Sequence, residues 1–211
     1  MFDPISIIFG IAVLIMSVVA HEVSHGYAAE FLGDPTARLQ GRLTLNPINH
    51  LDPVGSILVP LLTYGIPTLL GASGFIFGWA KPVPYNPYNL RKGRLGEAIV
   101  AGAGVFTNAL IAIFFALGLR FFGADLPQAF VELAALLIFT NLVLAIFNLI
   151  PVPPLDGSKI LFSALPYSAQ GVQAFLERYG LFILILFIFY GWKFISPLVA
   201  SIFTLLTGIH I

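Results

Sequence analysis

Residues 4–31 read PISIIFGIAVLIMSVVAHEVSHGYAAEF, and this stretch decides the architecture. Residues 4–20 carry no charge and run directly into His21-Glu22-Val23-Ser24-His25. Crossing about 30 Å of hydrocarbon at 1.5 Å per residue takes roughly 20 apolar residues in a helix. The segment is therefore expected to span a membrane. No basic segment precedes it and no small-residue cleavage site follows, so a retained span is expected rather than a removed leader. On a helix, positions i and i+4 share a face, so His21 and His25 can address one ion. Glu22, beside the first of them, can serve as general base toward a water at that ion. A plainer reading makes these interfacial polar residues that close a helix at the headgroups. Such groups at the end of an apolar run are costly unless paired, liganded or wet, and closing a helix does not require this spacing.

The composition places the whole chain in the same setting. Of its 211 residues, 58% are hydrophobic and 9% are charged, against about 25% charged in a typical soluble domain. Twenty phenylalanines are more than a water-facing surface can hide. A formal net charge of zero gives no electrostatic reason to expect a nucleic acid partner. With no cysteine, thiolate metal sites and disulfides are excluded, and any metal must be held through nitrogen and oxygen.

Outward from the first span, further apolar segments run from about Val54 to Phe77, Gly96 to Phe122 and Pro127 to Ile150. Two more follow at residues 173–192 and 195–209, the last with Pro197 near its start. The expected fold is an all-α polytopic membrane protein of five to six transmembrane helices, forming one membrane-embedded domain over residues 1–211. Two polar stretches interrupt it, at 32–53 and 78–95. Residues 37–45 alternate well enough to suggest a short strand or hairpin. Six of the ten Lys and Arg (Arg38, Arg42, Lys81, Arg91, Lys92 and Arg94) lie between residues 32 and 95. The positive-inside rule then puts both polar stretches in the cytoplasm. For that to hold, residues 54–77, broken by Pro60, Gly65, Pro67, Gly71 and Gly74, must dip in and return as a re-entrant segment.

Two histidines leave a catalytic zinc one protein ligand short. Asp156 stands out in Asn148-Leu149-Ile150-Pro151-Val152-Pro153-Pro154-Leu155-Asp156-Gly157, where three prolines prevent a regular helix at the end of a span. It is a candidate third ligand, the alternative being an N-cap for a helix starting near Ser158. Topology bears on the choice. His25 lies near the C-terminal end of one span and Asp156 just past the C-terminal end of another. They share a side of the membrane only with an even number of crossings between residues 32 and 95, which the charge distribution also demands.

These pieces, taken together, resemble the site-2 protease family in its compact prokaryotic form without PDZ or CBS domains. The matching motifs are His21-Glu22-x-x-His25, Gly33-Asp34-Pro35-Thr36-Ala37, Leu45-Asn46-Pro47 through His50-Leu51-Asp52-Pro53, and Gly78-Trp79-Ala80-Lys81-Pro82-Val83-Pro84. Gly104-x-x-x-Asn108 and Asn148 through Gly157 complete the set, in family order. The resemblance implies Zn2+ bound by His21, His25 and Asp156, with Glu22 as general base. It also implies a multi-pass cell-membrane enzyme that cuts transmembrane protein substrates within the bilayer, its site toward the cytoplasm. One departure is Gly104-Val105, where the family usually has Gly-Pro.

Asn108 is a candidate catalytic donor to the charge that develops on an attacked carbonyl, or else an interhelical hydrogen-bonding group. Asn148 is a candidate for binding substrate backbone, and Asn141, two turns earlier on the same face, for tying helices together. His50 reads as a loop histidine and Glu132 as a residue far from the metal. A strand edge at 37–45, or the irregular stretch 78–90, is expected to hold an unwound substrate by β-addition. The readings set against an enzyme are a non-catalytic metal-binding scaffold, which has no use for Glu22, and a metal transporter, which should show internal pseudo-symmetry.

Overall fold

Apolar helices dominate because hydrocarbon offers no partner to a free N–H or C=O, so each span must satisfy its own backbone. The computed structural model describes residues 4–59, 61, 62, 66 and 80–210. Helix α1 covers Pro4–Phe31, α2 Thr36–Leu39, α3 Gly93–Phe122, α4 Gln128–Asn148, α5 Asp156–Ala164, α6 Gln170–Tyr190 and α7 Trp192–Thr207. Among the described residues, four stretches are long and apolar enough to cross a membrane: Ile8–Phe31, Gly93–Asp125, Gln128–Asn148 and Gln170–Tyr190. Helix α7 is apolar but shorter, with Pro197 inside it. The protein is a polytopic membrane protein whose regular elements, among the described residues, are all helical.

Helix α1 stops where the sequence supplies a left-handed residue. Gly33 has φ +105, and the Asp34 N–H folds back onto the Ala29 carbonyl at 2.9 Å, a glycine-terminated helix end. The strand expected over residues 37–45 is not formed. Thr36–Leu39 makes one helical turn, and residues 42–46 continue without a β ladder among the described residues. The alternation misled because Ala37 is fully buried under α1 and Arg42 is buried by bonding to a neighbouring backbone, not by facing a sheet. Most of the re-entrant segment expected at 54–77 lies outside the described residues. Its start, Pro53–Leu58, is a wide helical turn capped by Asp52, whose Oδ1 accepts from Val54 N at 3.0 Å and Gly55 N at 2.6 Å.

The core forms where α3, α4 and α7 meet. Ala112, Ala116 and Leu119 pack against Ala134, Ile138 and Leu142, with Ile195, Val199 and Phe203 filling the third side. Alanines spaced four apart on α3 let the backbones approach closely, which is how membrane helices gain packing without a hydrophobic drive between them. Helix α1 lies against α3 and α4. Asn141, fully buried on α4, donates to Ser17 Oγ on α1 at 2.9 Å and to Leu137 O at 2.9 Å. The end of α1 and the start of α3 meet directly, with Arg91 N donating to Leu32 O at 2.9 Å. The chain therefore leaves α1 and enters α3 at one end of the bundle, as the topology of the site requires. Asn141→Ala is expected to lower stability by about 1 kcal/mol, the scale of interhelical hydrogen bonds in membranes. Thermal unfolding in detergent measures this, and metal content should not change.

Candidate metal centre

Three elements bring their polar groups to that end of the bundle. Near its C-terminal end, α1 presents His21 and His25, both buried, with the half-buried Glu22 beside them. Helix α5 begins at Asp156, also buried, after the Pro-rich turn that follows α4. Helix α3 passes behind the two imidazoles. Gly157 permits the turn: a Cβ there would lie 2.2 Å from the Leu149 carbonyl oxygen, so the start of α5 packs on bare backbone.

The N-cap reading of Asp156 fails on this geometry. Asp156 is the first residue of α5, and the helix start has no side-chain cap. Its Oδ2 instead lies 3.1 Å from His21 Nε2 and 3.2 Å from His25 Nε2, while the two Nε2 atoms are 3.1 Å apart. Ligand atoms on a tetrahedral zinc with bonds of about 2.0–2.1 Å stand about 3.3–3.4 Å apart. The triangle is close to that size and is built from two imidazole nitrogens and one carboxylate oxygen. Oδ2 is buried and makes no hydrogen bond, an orphaned acceptor that a cation would satisfy. The other oxygen, Oδ1, has Lys159 Nζ at 3.9 Å.

Neighbouring groups prepare the imidazoles. His25 Nδ1 is 2.7 Å from the Val100 carbonyl. A carbonyl only accepts, so the proton sits on Nδ1 and the Nε2 lone pair is free for a metal. His21 Nδ1 faces the amide of the fully buried Asn108 at 3.3 Å. Turned by half a rotation, that amide would accept from Nδ1–H and free the Nε2 lone pair of His21 in the same way. Glu22, whose carboxylate clusters with the two imidazoles so that one ligand atom from each lies within 4.8 Å of the others, accepts at Oε2 from Val83 N at 2.9 Å.

Other expected residues stand apart. Asn148 closes α4 and its Nδ2 donates to Leu144 O at 2.9 Å. His50 is buried, with Nε2 donating to Thr44 O at 2.8 Å, and belongs to the loop. Glu132 pairs with Gln128 near the opposite end of α4 from Asn148. Val100 O and Val83 N escaped the sequence reading because a backbone group leaves no residue-type signal. Gly104 was visible as part of a motif, but its reason was not: a Cβ there would lie 2.5 Å from His21 Cε1 and 2.6 Å from His25 Cε1. Gly104→Ala should therefore displace both rings and lower zinc content at least about tenfold at limiting metal, with the fold retained by circular dichroism.

Comparison with known proteins points the same way. Residues 123–190 match the family model described as Peptidase family M50. The chain is 38% identical over 206 residues to the protein named "Putative zinc metalloprotease YwhC" from Bacillus subtilis (strain 168), covering 94% of this chain and 85% of that one. It is 31% identical over 176 residues to "Putative zinc metalloprotease Rip2" of Mycolicibacterium smegmatis, covering 83% of this chain and 64% of that relative. No solved structure gives a significant match. With a relative this similar aligned over nearly its whole length, and a site whose donor set suits zinc, the chain belongs to peptidase family M50, the site-2 protease family of zinc metalloproteases.

Proposed function

We propose that the protein is an intramembrane zinc endopeptidase that hydrolyses peptide bonds of transmembrane substrate helices, as in regulated intramembrane proteolysis. Residues 1–211 act as one membrane-embedded catalytic domain. The observation that carries this reading is the buried triangle of His21 Nε2, His25 Nε2 and Asp156 Oδ2, with sides of 3.1–3.2 Å and an otherwise unpartnered carboxylate oxygen. These three residues hold the metal. Bound zinc supplies the Lewis acidity that makes water a nucleophile near neutral pH.

The remaining work falls to the chain. Glu22 takes the proton of the attacking water and passes it to the leaving amine. Val83 N–H at Oε2 leaves Oε1 for that task. Val100 O and Asn108 hold the imidazoles in orientation. When the Asn108 oxygen accepts from His21, its two N–H groups remain to stabilise the charge developing on the substrate carbonyl. Asn148 has one N–H tied to Leu144 O, leaving its other N–H and its oxygen for substrate backbone.

A substrate helix must open before its peptide bonds can be reached. With residues 36–39 helical, the candidate edge for the opened chain is the extended segment 80–86. Pro82 and Pro84 lack N–H groups, and Lys81 N and Val83 N are taken by His50 O and Glu22, so this segment meets an opened chain mainly through carbonyl acceptors. The basic residues between 32 and 95 support a site facing the cytoplasm. A metal-binding scaffold would have no use for a carboxylate set beside the ligands.

Zinc content of the detergent-purified protein is expected to be about one per chain and to fall sharply in Asp156→Ala. Glu22→Gln should keep the zinc and lose about 10²–10⁴-fold in cleavage of single transmembrane helices. Zinc retained in Asp156→Ala would remove that residue from the ligand set. Unchanged cleavage in Glu22→Gln would remove the base.

A further inference from the structure

Residues 80–90, which lead into α3, are fastened at many points along their eleven residues. Lys81 N donates to His50 O at 2.8 Å, and Arg42 Nη2 donates to Lys81 O at 2.8 Å and Pro82 O at 3.3 Å. Val83 is buried, with its N–H on Glu22. Its side chain lies where α1 is bare, since a Cβ on Gly26 would approach Val83 Cγ1 to 2.9 Å. Further along, Asn86 N donates to Asp34 Oδ2 at 2.6 Å and Asn89 Nδ2 donates to Asp34 Oδ1 at 2.8 Å.

Asp34 is the hub of that second set of bonds. It is fully buried, three residues beyond α1, and accepts four hydrogen bonds. Thr36 Oγ1 at 2.6 Å and Thr36 N at 3.3 Å join the two from the segment. Burial raises the Asp34 carboxyl pKa, but these donors outweigh it and hold the group below its ordinary value of 3.8. Every partner is a donor, so an ionised carboxylate suits the position and an amide does not. Closing a turn needs far less than a buried charge with four bonds. What the hub holds still is the segment whose Val83 amide reaches Glu22.

We propose that Asp34 is a positioning residue of the peptidase site: by clamping Asn86 and Asn89 it fixes the segment 80–90 so that the Val83 amide orients the Glu22 carboxylate. The proposal rests on Glu22 being the base, as proposed above. It explains why a carboxylate outside the metal centre is buried so completely, and why the segment alternates proline with donors. With residues 82 and 84 unable to donate, the Val83 N–H is the sole amide hydrogen between Lys81 and Tyr85.

Hydrogen exchange read by mass spectrometry on peptides covering 80–90, in the full chain in detergent, tests the clamp. Asp34→Asn should speed exchange in this segment at least about tenfold while exchange in α3 and α4 and zinc content stay as in the wild type. Asn89→Ala, at an exposed position, removes one donor and should give a smaller increase in the same peptides. It serves as the test if Asp34→Asn does not fold. Val83→Pro removes the one N–H from an already extended, proline-flanked segment. With fluorescently labelled β-casein as an unfolded probe that needs no helix opening, Val83→Pro and Asp34→Asn should both lower kcat about tenfold or more with KM little changed. Unchanged exchange over 80–90 in Asp34→Asn overturns the proposal, and so does faster exchange with unchanged kcat. If zinc-loaded wild type cleaves neither casein nor transmembrane helices, the peptidase reading fails, while the exchange arm still decides whether Asp34 clamps the segment.

Discussion

Two imidazole nitrogens and a carboxylate oxygen converge to within 3.2 Å at the end of an apolar bundle, and the rest of the fold answers to that convergence. Polar groups at membrane depth are costly unless a cation or a partner satisfies them. One helix cannot bring all three together, because α1 sets two imidazoles on one face and the carboxylate comes from α5. That distant element must have a backbone fixed tightly enough to aim a short side chain. The Pro-rich turn after α4 and the bare backbone at Gly157 provide that fixing.

Close approach is the second constraint. Helix α3 touches the imidazoles where it has no side chain, at Gly104, and gives them a carbonyl from Val100 one turn earlier. Further along α3, Ala112 and Ala116 continue the narrow face into the core with α4 and α7. Small residues on one stripe of α3 thus serve chemistry at one end and packing along the rest. Helix α6 takes little part in this core, and most of its apolar surface is exposed.

The polar segments between α1 and α3 form a scaffold of a different kind. Their order comes from side chains bonded to backbone: Asp34 to Asn86, Arg42 to Lys81 and Pro82, His50 to Thr44. Such bonds set a loop without a sheet, which is why alternation over 37–45 suggested a strand that the chain does not form. Buried polar groups here follow hydrogen bonding, not a pleat, so the two-residue period carried no information about a ladder.

The sequence by itself determined the membrane setting, the boundaries of α1, α3, α4, α6 and α7 within a few residues, and the pairing of His21 and His25 on one helix face. Each of these is a local property, since length, apolarity and the i, i+4 face need no distant partner. Asp156 was legible as a candidate from its prolines and from topology, yet its choice between capping α5 and facing the histidines was open. Only the tertiary structure decided that choice, because it depends on where α5 begins relative to α1. The reason for Gly104, the Val100 carbonyl, the hold of Val83 on Glu22 and the hub at Asp34 were likewise decided in three dimensions. They are contacts between segments far apart in the chain, and most run through backbone groups that every residue carries.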